Sequence, residues 1–354
     1  MAINKISIEN FTVFENVEID LSDGINVFIG ENGTGKTHLL KILYAFCEFS
    51  TYISDDQQEH SNSDDRQEYA NIKEKIQSCF QSLKLDQLMM NPFDKKQSKQ
   101  PTHVDIVIDG IKYPFGITAA VSASSLRTIG TASALMTKKN KTMPAVFIPA
   151  KEMLTHSRLE KDFIQRNLPF DITLIDILNK AGVSTFKNFS DEMRAILDKI
   201  AEIIGGRILY RNDHYYTEKP DGTLIDFAVE AEGFKKLGLI YRLIETGHLE
   251  KGSILIWDEP EANLNPSLIP DLVDIVLKLE LAGVQMFFAT HDYFFAKFLE
   301  VRKKKANKVV YHALYRNQNG VLCESQNDFE MLENNSIIEQ SIDLYKEEVK
   351  KVME

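Results

Sequence analysis

Cysteine is scarce: Cys47, Cys79 and Cys323 are odd in number and scattered, and they supply neither a disulfide framework nor the paired spacing of a zinc site. They point to a reducing cytoplasm. No apolar run approaches the roughly twenty residues a membrane span needs. The start, Met1-Ala2-Ile3-Asn4-Lys5, lacks the basic residues and apolar stretch of a secretory leader. A surplus of cations is also missing. With 41 Lys and Arg against 52 Asp and Glu, the net charge of −11 argues against nucleic-acid affinity over the whole surface and leaves only local basic runs for it. Long heptad arms are absent as well, which excludes an extended coiled coil. What is present is a globular composition, 44% hydrophobic and 26% charged over 354 residues, enough for one large domain or a core with an inserted lobe.

One stretch organises the rest. Gly30-Glu31-Asn32-Gly33-Thr34-Gly35-Lys36-Thr37 fits G-x-x-x-x-G-K-[ST], the phosphate-binding P-loop. Ile25-Asn26-Val27-Phe28-Ile29 before it reads as a buried strand, and Leu39 to Phe46 after it has helical spacing. Strand, glycine loop and helix are the context the motif needs. Glycines let backbone N–H groups wrap a phosphate chain, and the helix start adds orphan donors and a positive dipole end. Lys36 is expected to reach the β- and γ-phosphates of ATP, and Thr37 to hold Mg²⁺.

Along the chain, Ile6, Ile8, Val13, Val17, Ile19 and Leu21 alternate as a β-hairpin with its turn near Asn10-Phe11. Phe11 and Phe14 fill the sheet core in the plainer reading, with stacking on adenine as the alternative. Residues 50–102 form a polar insert. Its acidic segment, Ser54 to Glu68, precedes a helix over Tyr69 to Leu88 and a Lys/Gln-rich loop from Asp94 to Pro101. Strands follow at Val104 to Ile108 and Lys112 to Thr118. A Ser/Thr/Ala stretch and Lys138-Lys139-Asn140-Lys141 lead to a strand at Ala145 to Ile148. Helices are expected over Phe170 to Ala181, Asp191 to Ile204 and 232–250, with strands at Arg207 to Tyr210, Asp213 to Thr217 and Leu224 to Val229. This divides the chain into 1–150, a helical lobe over 151–206, a second core part over 207–300, and strands with a helix over 301–354.

A second stretch carries carboxylates. Ile254-Leu255-Ile256-Trp257 is apolar throughout, as in a parallel strand buried on both faces, and it ends in Asp258-Glu259. Asp258 is suited to bind Mg²⁺ through water and Glu259 to polarise an attacking water. The competing reading is a helix cap. After a helix over Pro270 to Leu281, the strand Val284 to Ala289 ends in Thr290-His291, and a His there can hydrogen-bond a γ-phosphate and the attacking water.

This order of motifs resembles the ABC-type ATPases, in their branch of SMC, RecF and OLD-family proteins. The resemblance implies an α/β P-loop head with a β-rich N-terminal part and a short inserted helical lobe. Asp258-Glu259-Pro260-Glu261-Ala262-Asn263-Leu264 looks like Walker B and the D-loop, and His291 like the switch histidine. More narrowly, three stretches resemble the stand-alone AAA_15/AAA_21-type ATPases of anti-phage defence operons. These are Ile148 to Leu154, Glu230 to Lys236, and the tail Asn335-Ser336-Ile337-Ile338 with Leu344-Tyr345. The resemblance implies ATP sandwiched between two head-to-tail chains, so a homodimer or higher homo-oligomer. Glu259 and His291 of one chain would meet Asn263 and the Gly233 region of the other. It also implies a separately encoded effector, often a nuclease, and no membrane.

Two departures stand out. Where the family has a Ser-Gly-Gly signature, this chain has Glu232-Gly233-Phe234, whose carboxylate repels a γ-phosphate unless Mg²⁺ or Lys235-Lys236 compensates. The Q-loop glutamine is missing, and Glu152 is the candidate replacement on the Mg²⁺ side, with a structural salt bridge as the alternative. About 60 residues follow His291, too few for a Toprim nuclease, so no in-chain nuclease is expected. Arg302-Lys303-Lys304-Lys305 reads as a solvated helix end, or else a contact for nucleic acid or an acidic partner. A RecF-like DNA-clamping ATPase and a non-hydrolysing nucleotide-dependent scaffold are the other functions left open.

Overall fold

A computed structural model describes residues 2–55, 75–81, 88, 101–117, 144–156, 171–185, 189–318 and 320–353. The alternating N-terminal residues form the expected hairpin. β1 (Ile3–Phe11) and β2 (Phe14–Asp20) pair antiparallel, with Ile6 opposite Ile19 and Ile8 opposite Val17. The turn lies at Thr12-Val13, beyond the expected Asn10-Phe11, and left-handed backbone at Asn10 and Thr12 (φ 49° and 51°) makes the reversal. β3 (Ile25–Gly30) carries the P-loop at its end, and α1 (Lys36–Asp55) follows it. β4 (Thr102–Ile108) and β5 (Ile111–Ile117) extend the hairpin into an antiparallel sheet of order β2-β1-β4-β5. The acidic segment after Asp55, the Lys/Gln-rich loop before Pro101 and the Ser/Thr/Ala stretch after Ile117 lie outside the described residues.

β6 (Ala145–Ile148) leads to α2 (Ile172–Ala181) and α3 (Asp191–Ile204). Both helices are delimited by side-chain chemistry. Asp171 accepts from Thr173 N at the start of α2 and Ser190 from Met193 N at the start of α3, while Gly205 ends α3 in the left-handed region at φ 71°. A small antiparallel sheet follows, of β7 (Arg207–Arg211), β8 (His214–Glu218) and β9 (Leu224–Asp226). β9 is shorter than the alternating residues suggest. The Asp226 carboxylate accepts from Ala228 N at 2.8 Å and turns Phe227–Val229 into a 3₁₀ turn. α4 (Glu232–Glu245) comes next.

The main sheet is completed by β10 (Ile254–Asp258), β11 (Gln285–Thr290), β12 (Val309–Asn317) and β13 (Gly320–Gln326), in the order β13-β12-β3-β11-β10-β6. β6, β10, β11, β3 and β12 run parallel, and β13 is antiparallel at the edge. α5 (Ile269–Leu281) and α6 (Tyr293–Arg302) flank β11 in sequence, and α7 (Ser336–Met353) follows β13.

The unbroken apolar runs of the central strands follow from this position. Ile25, Val27, Ile29, Leu255, Trp257, Met286 and Phe288 enter one hydrophobic cluster with α2 to α6. The alternate residues Phe28, Ile254, Ile256, Phe287 and Ala289 enter a second, with α1 and the antiparallel sheet. A strand covered on both faces has no polar side to show. α1 lies between the two sheets, so Leu39, Leu40, Ile42, Leu43 and Tyr44 are all fully buried. Gln285 ties the sheets together at the other end of β11. Its Oε1 accepts from Ile3 N at 2.8 Å, and its Nε2 donates to Ile3 O and Ser22 O at 2.8 and 2.7 Å.

Candidate nucleotide site

Because β3, β11 and β10 are parallel neighbours, their carboxyl ends lie side by side. That edge is where open α/β sheets place ligands. Gly30, Thr290 and Asp258 are the terminal residues, and the loops that continue from them form the site. All three stretches singled out by sequence are therefore brought together by strand order alone.

The P-loop is tightly packed from below. Gly33 and Gly35 have φ of 77° and 89°. A Cβ on Gly35 would lie 2.6 Å from Val13 Cγ2 and 2.7 Å from Phe14 Cζ. Phe11 and Phe14 are thus fully buried core residues, the second of them the floor of the loop, and neither is placed to stack on adenine. Gly30 has no room for a side chain, because the Leu314 carbonyl of β12 sits where a Cβ would go. Thr34 Oγ1 donates to Glu31 O at 2.9 Å and closes the turn. Asn32 is exposed, and its carbonyl accepts from Arg316 Nη2 at 3.2 Å.

Lys36 is buried, and its ammonium donates to Gly30 O at 2.8 Å and Glu31 O at 2.9 Å. It makes no ion pair among the described residues. Burial lowers its pKa to about 8, against the pull of Asp258 and Glu259. A buried ammonium held only by carbonyls is short of an anion, and a phosphate chain supplies one. Beside it, Thr37 Oγ1 donates to Asp258 Oδ2 at 2.9 Å. Burial raises the Asp258 carboxyl above the usual carboxylate range, opposed by this same bond. One hydroxyl and one carboxylate are few ligands for a bare cation. They suit Mg²⁺, which keeps waters and phosphate oxygens in its shell.

Glu259 leaves the strand in left-handed backbone at φ 49°, rare for a residue with a Cβ. Its N–H donates to Ala289 O at 2.9 Å, and its own carbonyl accepts from Lys236 Nζ at 3.0 Å. Held this way, its carboxylate points to His291, with Oε1 and Nε2 3.9 Å apart and both side chains partly exposed. Burial, and then the charge of Lys36, lower the His291 pKa, so the ring is neutral near pH 7. A neutral imidazole beside a carboxylate can orient water between them. Asn263 follows at φ 61° on the exposed tip of the loop.

Two residues that periodicity did not single out hold this loop. Glu261 turns inward. Its Oε1 accepts from Thr290 Oγ1 at 2.7 Å and His291 N at 3.3 Å, while its buried Oε2 has no hydrogen-bond partner among the described residues. Burial raises its pKa to about 7. Lys236, buried on α4, also donates to Pro260 O at 3.4 Å, and burial lowers its pKa to about 8. The paired acidic and basic residues were visible in the sequence, but not which of them turn inward.

Gly233 and Glu152 sit apart from this cluster. Gly233 is buried, and a Cβ there would meet Leu264 Cδ2 and Leu268 Cδ1, each at 3.0 Å. It packs under its own chain's loop, and the exposed residue at the start of α4 is Glu232. Glu152 lies just beyond β6. Its carboxylate accepts from Thr155 N at 3.3 Å and from the Thr155 hydroxyl, a local cap, and it makes no described hydrogen bond to Thr37 or Asp258.

Among the described residues, no helix is long and apolar enough to cross a membrane. Comparison with known proteins matches residues 1–219, more than half of the chain, to the AAA ATPase domain family AAA_15. Residues 145–296 match a second family model, described as "AAA domain, putative AbiEii toxin, Type IV TA system". The DNA replication and repair protein RecF of Cytophaga hutchinsonii is 42% identical over 59 residues, 17% of this chain and 16% of that protein. RecF of Azobacteroides pseudotrichonymphae is 33% identical over 112 residues, 30% of this chain and 31% of that protein. The matched segments thus span less than a third of these relatives. An SMC head bound to the C-winged helix domain of ScpA superposes with a TM-score of 0.52 at 14% identity, covering 92% of this chain and 98% of that one. An SMC head with an extended coiled coil, bound to the C-terminal domain of ScpA derived from Pyrococcus furiosus, gives 0.51 at 12% identity over 98% and 99%. Likeness at that identity speaks for the fold alone. Taken with the strand order and the P-loop, the family match places the chain in the AAA ATPase domain family AAA_15, with segments similar to RecF and the fold of the SMC heads.

Proposed function

We propose that this ATPase hydrolyses Mg-ATP in a nucleotide-gated pair of chains, and that the pair holds or releases a separately encoded effector in a defence against bacteriophage. The observation that carries the hydrolytic part is the convergence of Lys36, the Thr37–Asp258 pair and the Glu259–His291 pair at adjoining strand ends. Lys36 would exchange its carbonyl partners for β- and γ-phosphate oxygens. Thr37 and Asp258 would hold Mg²⁺, which when bound neutralises phosphate charge. Glu259 would take the proton of the attacking water and His291 would orient that water against the γ-phosphate. Asn263, on the exposed loop tip, would face the second chain.

The effector reading draws on the second family description, which names a toxin system. The RecF relatives favour a second reading, in which the pair closes on DNA directly. One experiment separates them. ATP hydrolysis is measured on the purified chain beside Lys36→Ala and Glu259→Gln, with mass followed by light scattering, and with duplex DNA added at low and high salt. Turnover lost in both variants, with an ATP-bound dimer accumulating in Glu259→Gln, supports the gated pair. Salt-sensitive stimulation by DNA favours the RecF-like reading. A wild-type chain that binds Mg-ATP and never turns over, with its mass unchanged by nucleotide, sinks the hydrolytic clamp and leaves a scaffold.

A further inference from the structure

α7 is a helix of 18 residues with none of them buried. Only its first turn is anchored: Ile337 and Ile338 pack against the apolar cluster that contains Phe329 and Leu332. Beyond Ser341 the helix is exposed throughout, yet it is not polar all round. Ile342 is 48% exposed, Tyr345 66%, Val349 40% and Val352 86%, with Leu344 and Met353 exposed to either side of them. With Ile338 these residues recur at intervals of four, three, four and three, the 3.5-residue period of a coiled-coil seam. An isolated helix of this length is marginal in water without a partner for its apolar stripe.

The flanking charges select the partner. With Ile342 and Val349 as a positions and Ile338, Tyr345 and Val352 as d positions, the e positions hold Glu339, Lys346 and Met353, and the g positions Ser341 and Glu348. In a parallel pair each g faces the following e of its partner. That sets Ser341 against Lys346 and Glu348 against Met353, with no ion pair. In an antiparallel pair e faces e and g faces g. Glu339 then meets Lys346 of the second copy twice, Ser341 meets Glu348 twice, and Ile342 packs against Tyr345 across the two-fold axis. Antiparallel packing also opposes the two helix dipoles. Each folded body sits at the N-terminal end of its own α7. An antiparallel pair therefore puts the two bodies at opposite ends of a helix pair about 27 Å long, where a parallel pair would press them together. Lys346 now bonds Asp343 of its own helix at 2.8 Å, an exposed pair weak enough to be exchanged.

We infer that α7 is a homotypic docking helix: two copies of this chain associate through an antiparallel α7–α7 pair with Ile342, Tyr345 and Val349 at the centre of its seam and the half-buried Ile338 at its edge. This contact lies on side chains separate from the nucleotide loops and is independent of ATP.

The test is sedimentation velocity on the full chain over a range of concentrations, once in EDTA without nucleotide and once with Mg-ATP. The expected result is a reversible dimer in EDTA. Val349→Asp and Ile342→Asp should each weaken it at least about tenfold while far-UV circular dichroism stays unchanged, since both positions are exposed. Glu339→Lys and Lys346→Glu should each weaken it by about two- to fivefold, and the double exchange should restore it. A chain that is monomeric in EDTA up to about 100 μM overturns the inference, whatever Mg-ATP does. So does a dimer untouched by Val349→Asp. Failure of the double exchange to rescue overturns the antiparallel register. Dimerisation seen only with Mg-ATP would support the gated pair and refute this one.

Discussion

Two helices begin beside the nucleotide loops, and they begin in opposite ways. α1 follows a loop of left-handed glycines, has no acidic residue in its first turn, and opens on the buried ammonium of Lys36. α4 follows Ala231, which provides no capping side chain, and opens on Glu232, whose carboxylate pairs with Lys235 at 2.8 Å. The first start presents positive potential with no ion pair to its lysine among the described residues, although Asp258 and Glu259 pull on it from nearby. The second carries its own anion at the dipole's positive end. Both segments contain glycine and lysine, so composition does not distinguish them. What distinguishes them is where the glycine sits: Gly35 frees backbone on a loop, whereas Gly233 lets Leu264 and Leu268 close over a helix. One start leaves its lysine bonded to carbonyls alone, and the other is already neutralised.

The sharpest way to separate the two is to silence chemistry while keeping capture. Glu259→Gln should lower turnover by about 100- to 1,000-fold and leave nucleotide affinity within a few-fold, measured by phosphate release and calorimetry. Lys36→Ala should weaken ATP binding by about 100-fold, because a charge-assisted contact to phosphate is lost from a buried position. Trp257, the single tryptophan, lies fully buried beside Asp258 and serves as a fluorescence reporter of that titration. If Lys36→Ala bound ATP normally, the contrast between the two helix starts would collapse.

Glu261→Gln tests the loop's inner support. The folded-state pKa of Glu261 is raised to about 7, so the folded protein binds a proton more tightly than the unfolded one. That contribution is fully present below the ordinary glutamate pKa and is lost as pH rises to about 7. The variant should flatten the fall in stability across that window in denaturant titrations at several pH values. It should slow turnover modestly, since the amide can still accept from Thr290. The smallest effect belongs to the second start. Glu232→Ala removes the self-supplied anion and should strengthen Mg-ATP-dependent association of Glu259→Gln by about two- to fivefold. No change would mean that α4 does not face nucleotide on a second chain.

The P-loop, the Asp258-Glu259 strand and His291 were legible because each is a short run whose residue types and flanks announce it. Strand order then did what sequence cannot, setting β11 between β3 and β10. The inward turn of Glu261 and the reach of Lys236 across to Glu259 and Pro260 depend on how α4 packs, and their exposed neighbours Glu232 and Asn263 look no different in sequence. Arg316 went unnoticed for a related reason. It is the penultimate residue of β12, 284 residues after Asn32, and meets that residue's carbonyl only because β12 pairs with β3. The shortening of β9 at Asp226 was readable in principle, since an aspartate two residues before an accessible N–H is a turn former.

Lys36 has a kinetic meaning. Phe14 as the floor beneath Gly35, and the Thr34 hydroxyl closing the turn on the Glu31 carbonyl, brace the loop from within the fold, while Lys36 bonds the Gly30 and Glu31 carbonyls beside it. The disorder that a loose loop would surrender on capture has already been surrendered when the chain folds. Nucleotide capture should then be limited by diffusion and by moving one ammonium, with little dependence of the association rate on loop rearrangement. Any slow step in the cycle falls to what happens after binding.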